Sequence, residues 1–195
     1  MNKPHGLQAL EQPLASLPDT LRQLILERIQ NLTWYEPVIG IMGKSGAGKS
    51  SLCNELFRGE VSPVSDVNAC TGTPSPQQKA NLEEKKAAIT AMFGPRHPVC
   101  VVSACSGWGM EEMVAVMMRC LPDRAASPVA TQLHGRLCTE PVRSQARDGF
   151  GEAVGRVFDT AESSSFLPAP LKTLISTVRD AVVSVARAVW DWIFF

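Results

Sequence analysis

The chain lacks most of the features that would mark a secreted, membrane-spanning or metal-centred protein. It has six cysteines but no Cys-x-x-Cys pair, which removes the spacing that zinc ribbons and thioredoxin-like sites require. No leader-like segment opens it, so the cysteines are expected to be reduced thiols and the expected location is cytoplasmic. No apolar run approaches the ~20 residues of a bilayer-spanning helix. Nineteen Lys and Arg balance nineteen Asp and Glu, so no excess of charge points to nucleic acid or anionic lipid as the default partner. The three histidines, His5, His97 and His134, are scattered and supply no evident triad or ligand set. What remains is an ordinary globular composition, 45% hydrophobic and 19% charged over 195 residues. That length suits one core with an appended helical region.

What is present is one strong motif. Val38, Ile39, Ile41 and Met42 form a short apolar segment, expected as a strand, that ends at Gly43. The next residues, Gly43-Lys44-Ser45-Gly46-Ala47-Gly48-Lys49-Ser50, fit G-x-x-x-x-G-K-[ST]. Gly46 and Gly48 allow the tight turn that lets successive N–H groups surround a phosphate. Those amides, and that of Ser51, fall at the start of a helix expected over Ser51 to Phe57, where the dipole favours an anion. Lys49 is placed to reach the β- and γ-phosphates, and the Ser50 hydroxyl to ligate Mg²⁺. The motif specifies phosphate and says nothing about the base.

Gly48-Lys49-Ser50-Ser51-Leu52-Cys53-Asn54-Glu55-Leu56 resembles the first motif of Era-like, ribosome-associated-type GTPases, and within them a prophage-encoded bacterial subgroup. Residues 99–114, VCVVSACSGWGMEEMV, resemble the fifth motif of the same class. The resemblance implies that Ser103, Ala104 and Cys105 border a guanine. It also implies that Val64 to Thr71 is the first switch loop, with Thr71 closing on Mg²⁺ and the γ-phosphate. The implied ligand is GTP or GDP with Mg²⁺. A ribosome or RNA partner follows from family analogy alone. An ATPase is the competing phosphate-loop reading, but the second apolar segment, Val99 to Val102, ends in Ser103 where an ATPase would place a Mg²⁺-holding Asp.

One absence now becomes specific. Such GTPases carry Asp-x-x-Gly, for Mg²⁺ and γ-phosphate sensing, and Asn/Thr-Lys/Gln-x-Asp, for guanine, between the switch loop and the Ser-Ala loop. Between Thr71 and Ser103 the acidic residues are Glu83 and Glu84, with no Asp. Residues 68–78, NACTGTPSPQQ, join the end of the switch loop directly to a helix entry that belongs after the guanine motif. The pattern reads as an internal deletion that removes most of the family's sheet. The two surviving strands would lie three spacings apart in the parent order, roughly 14 Å at about 4.8 Å each. The fold expectation is therefore α/β: a truncated P-loop GTPase-type domain with a small residual parallel sheet, plus a helical C-terminal region.

Around the loop the sequence is helical. Ser16-Leu17-Pro18-Asp19 has the form of a capping box, followed by a face of Leu21, Leu24, Ile25 and Leu32. Ser75 is a candidate cap for a helix from Gln77 to Phe93, whose Leu82, Ala88, Ile89 and Met92 are expected to face a core. A further helix is expected over Val142 to Asp159, where Gly151-x-x-x-Gly155 would permit close packing. Ser163 to Pro170 reads as a linker. Leu171 to Phe195 carries an apolar stripe, Leu171, Leu174, Ile175, Val178, Val182, Val185, Val189, Trp192 and Ile193. It is expected to pack on the body or drive self-association, with a membrane surface as the alternative. The expected division is 1–35 as an N-terminal helical flank, 36–122 as the truncated GTPase-like domain and 123–195 as the helical region. Two functional readings stand. One is a GTP-binding protein with impaired guanine selectivity and hydrolysis, without an assignable catalytic residue. The other is a non-enzymatic remnant or helical interaction protein that keeps only the phosphate loop.

Overall fold

The structure is a computed structural model and describes residues 3–58, 75–162 and 169–195. Among these residues the elements are α1 (Lys3–Leu14), α2 (Asp19–Thr33), α3 (Lys49–Leu56), α4 (Pro76–Phe93), α5 (Met110–Cys120), α6 (Asp123–Gln132), α7 (Glu140–Glu162), α8 (Ala169–Ala188) and α9 (Trp190–Phe194). No strand is present among them, which corrects the expected residual parallel sheet. A strand is stable only when a neighbour takes up its N–H and C=O groups. Both expected strands are irregular segments instead. Val38 is 97% exposed and Met42 94% exposed, so the first apolar segment buries little of its outer ends. The extended pairing that remains among the described residues is a single antiparallel bridge, Phe57 to Leu133.

The chain divides into two compact units. The first comprises Met1–Val38, Leu121–Thr131 and Arg143–Phe195. Its core is built from helices that small residues bring close together. At Gly6 in α1 a Cβ would lie 2.6 Å from Ile193 Cγ1 of α9, so only glycine allows that approach without a shift. At Gly151 of α7 a Cβ would lie 2.5 Å from Arg187 Nε of α8, whereas at Gly155 it would meet Val183 Cγ2 at 3.6 Å, an ordinary contact. The expected close packing at this glycine pair is thus seen at Gly151 alone. At the centre, Trp190 Nε1 donates to Ser127 Oγ at 2.8 Å, and Ser127 Oγ donates to Ala146 O at 2.9 Å. The buried indole N–H and hydroxyl are thereby both satisfied.

The C-terminal stripe lies inside this unit. Ile175, Val178, Val182 and Val189 are buried, and so are Ala186, Trp190 and Phe194. Leu174 and Val185 are half-buried. The helix breaks between Ala188 and Trp190, with Val189 at φ −95° and ψ 4°. The buried face continues in step through Trp190 and Ile193, and Trp192 is 61% exposed, against its expected place on the stripe. The stripe, expected to pack on the body or drive self-association, buries Ile175, Val178, Val182 and Val189 within this unit.

Two cap and face assignments also change. Pro18, not Ser16, is the N-cap of α2 and makes no side-chain cap bond. Ile25, Ile29 and Thr33 form its buried face, whereas Leu24 is 44% exposed. The second unit comprises Ile39–Cys120 and Gln132–Val142. Within it, α4 has the expected start, a reciprocal capping box between Ser75 and Gln78 behind a proline. None of its residues is buried. Leu82 is half-buried and Ala88, Ile89 and Met92 are exposed, which corrects their expected place in a core. No sheet is present among the described residues to supply the surface on which such a helix packs. In contrast α5 buries Met110, Val114 and Met118 on one face.

Candidate functional site: the phosphate loop

The phosphate loop keeps its geometry without a strand before it. Gly46 and Gly48 have φ of 76° and 80°, in the left-handed region that glycine adopts without steric cost. Gly48 is the N-cap of α3 and no side chain caps the helix. The first N–H groups of α3 therefore have no side-chain acceptor supplied by the cap, as an anion-binding helix start requires. Lys49 Nζ donates to Gly43 O at 3.0 Å and Lys44 O at 2.9 Å. These bonds fold the lysine over the loop and hold its ammonium beside the turn. Ala47 N donates to Lys44 O at 3.2 Å and Leu52 N to Gly48 O at 2.9 Å, which close the turn and begin the helix. Residues 43–48, including Lys44, Ser45, Gly46 and Ala47, are exposed, and Lys49, Ser50 and Ser51 are half-buried.

The Ser-Ala loop lies in the same unit. Ser103 N donates to Trp108 O at 2.9 Å, and Ser103 Oγ accepts from Ser106 N at 3.4 Å. Gly107 and Gly109 have φ of 71° and 74°. A Cβ at Gly109 would lie 2.2 Å from Val101 O, so this position excludes any side chain unless backbone moves. Ala104 is half-buried and Cys105 exposed. Cys105 is disulfide-bonded, which corrects the expectation that every thiol is reduced. Cys53 and Cys100 are free and half-buried. Burial, with Glu112 second, pushes the Cys100 thiol above its ordinary value.

Thr71, the expected second Mg²⁺ contact, and the switch loop around it lie outside the described residues, as do Cys70 and most of the expected linker. Among the described residues no group of three His, Cys, Asp or Glu is arranged to hold a metal ion. A cleft of about 600 Å³ runs along α4, lined by Glu83, Lys86, Ala87, Thr90 and Gly94 among others. None of its lining residues belongs to the phosphate loop or the Ser-Ala loop. Sequence reasoning missed Arg136, which pairs with Glu55 of α3 and lies against Gly107. No local motif marks it, because its role depends on contacts distant in the chain.

Residues 38–117 match the family model described as 50S ribosome-binding GTPase. Over its whole length the chain is 35% identical to the uncharacterized protein YkfA of Escherichia coli (strain K12), in an alignment of 287 residues that covers all of both chains. It is 36% identical over 281 residues to YfjP of the same organism, covering 96% of this chain and 98% of that protein. It is 53% identical over 122 residues to YeeP, also from that organism, covering 63% of this chain and 51% of that one. No solved structure matches.

Proposed function

Because the chain belongs to the GTPase-like family of YkfA and YfjP, we propose that it binds guanine nucleotide weakly through an intact phosphate loop and hydrolyses it inefficiently or not at all. The observation that carries this reading is Lys49 held on Gly43 O and Lys44 O above an uncapped helix start. The amides of Gly46 to Ser51 would take the phosphates, with the Lys49 ammonium neutralising their charge. Mg²⁺ would be held chiefly by the nucleotide's own phosphates and the Ser50 hydroxyl, with Thr71 as a further contact. Ser103 and Ala104 would border the base. The Era-like resemblance supports guanine, and the missing Asp-x-x-Gly and Asn-Lys-x-Asp-type motifs weaken both base selection and hydrolysis. An alignment of 287 positions against a chain of 195 residues means that the relative carries residues this chain lacks, in keeping with the deletion reading.

The second reading, a helical interaction protein that merely retains the loop, is favoured by one contrast. The first unit has a buried aromatic core, whereas α4, in the unit that holds the phosphate loop, buries nothing. A partner interaction that ignores nucleotide would favour it. Titration of a fluorescent GTP analogue with and without Mg²⁺ tests the first reading. Binding is expected to need both Mg²⁺ and Lys49, so that Lys49→Ala abolishes it, while steady-state phosphate release stays near background. Equal binding by the Lys49→Ala variant would contradict it.

A further inference from the structure

A short strap from the second half of the chain crosses the far end of the phosphate-loop helix. Arg58 N donates to Gln132 O at 3.0 Å, and His134 N donates to Leu56 O at 2.8 Å. Arg58 Nε donates to Leu133 O at 3.1 Å. Leu133 and Leu137 are buried, and a turn closed by Leu137 N on His134 O at 2.8 Å presents Arg136 between them. The Arg136 guanidinium pairs with Glu55 of α3. It also lies against Gly107, where a Cβ would meet Nη1 at 2.6 Å and Cζ at 3.4 Å. One side chain thus touches the helix that begins at Lys49 and the loop that begins at Ser103.

In a sheet-based nucleotide domain the relative position of such loops is set by the strands they follow. Here no strand is present among the described residues, and another device has to supply the spacing. We propose that Arg136 is a positioning residue that holds the Ser103–Gly109 loop in register with the phosphate loop through α3. Two features fit the residue type. A guanidinium can pack against one group while pairing with a carboxylate, which a lysine ammonium does less well. Gly107 in turn leaves the room that the guanidinium occupies. The α3 helix is a rigid arm about 12 Å long at 1.5 Å per residue, so an anchor at Glu55 is transmitted to Lys49. The consequence for nucleotide rests on the reading of the previous section: Arg136 preserves what base preference the chain retains.

Hydrogen exchange of the full chain tests this directly, read at Ser103 N and Met110 N, which bond within the loop. Arg136→Ala is expected to raise exchange at both by about tenfold, with Leu52 of α3 and the α8 amides unchanged. Arg136→Lys should restore part of the protection, and Glu55→Gln should loosen the same two amides less. In parallel, the GTP-to-ATP affinity ratio of Arg136→Ala should fall towards one while inorganic tripolyphosphate binding is kept. Unchanged loop exchange in both Arg136→Ala and Glu55→Gln overturns the proposal. So does a rise that appears equally in α3 and α8, which would mark general loss of stability. A wild-type chain with no GTP preference would refute the base reading alone, since the exchange result still decides the role of Arg136.

Discussion

Ser127 is a small residue on which two elements depend. It accepts the Trp190 indole N–H at 2.8 Å and donates to Ala146 O at 2.9 Å, with 1% of its surface exposed. Replacing it by alanine leaves a buried donor without its acceptor, at a cost of about 1–3 kcal/mol. Urea unfolding of Ser127→Ala should show a loss of that size, and a loss below about 0.5 kcal/mol would mean the indole finds another acceptor. The sequence carries little sign of this pair. Ser127 stands before Pro128 with no motif around it, and its role appears only when Trp190 is brought to it across the chain. The phosphate-loop glycines are the opposite case. Gly46 and Gly48 are legible because their role is local, fixed by the turn itself and by Lys49.

Among the elements, α4 and α8 show why periodicity alone does not decide burial. Both have apolar residues at helical spacing, yet α8 buries Ile175, Val178 and Val182 while α4 buries none. The difference is a partner surface: α8 has α1 and α9, and no sheet is present among the described residues to cover α4. Val182→Asp should therefore cost more than about 3 kcal/mol by burying an unpaired charge. Met92→Gln, at a site 79% exposed, should change stability by no more than about 0.5 kcal/mol. Thermal denaturation of the two variants side by side checks this, and equal losses would mean that α4 has a packing partner in solution. For the same reason, truncation before Ala169 should promote aggregation, because it removes core and exposes apolar surface. Helices α3, α4, α7 and the final amphipathic segment are legible from caps and spacing. Helix α1 is not, since Pro4, Gly6 and Pro13 interrupt its pattern and its stability comes from Leu10 and Leu14 buried in the unit.

For the whole molecule, the sequence reads as a phosphate loop in a shortened nucleotide domain, and the structure adds that no strand is present among the described residues. A residual pair of strands is the expectation because Val38–Met42 and Val99–Val102 have strand-like composition. Composition is a weak guide when no neighbouring strand among the described residues completes the ladder. The loop persists because its bonds run among its own residues and α3, with Lys49 closing on Gly43 and Lys44. The central claim is that phosphate recognition survives while base recognition is largely lost. Parallel calorimetric titration of the intact chain with GTP and ATP, both in Mg²⁺, tests it most directly. The account predicts weak binding of both, with GTP favoured by less than about tenfold, equivalent to about 1.4 kcal/mol. Tight binding of GTP with ATP excluded would contradict it.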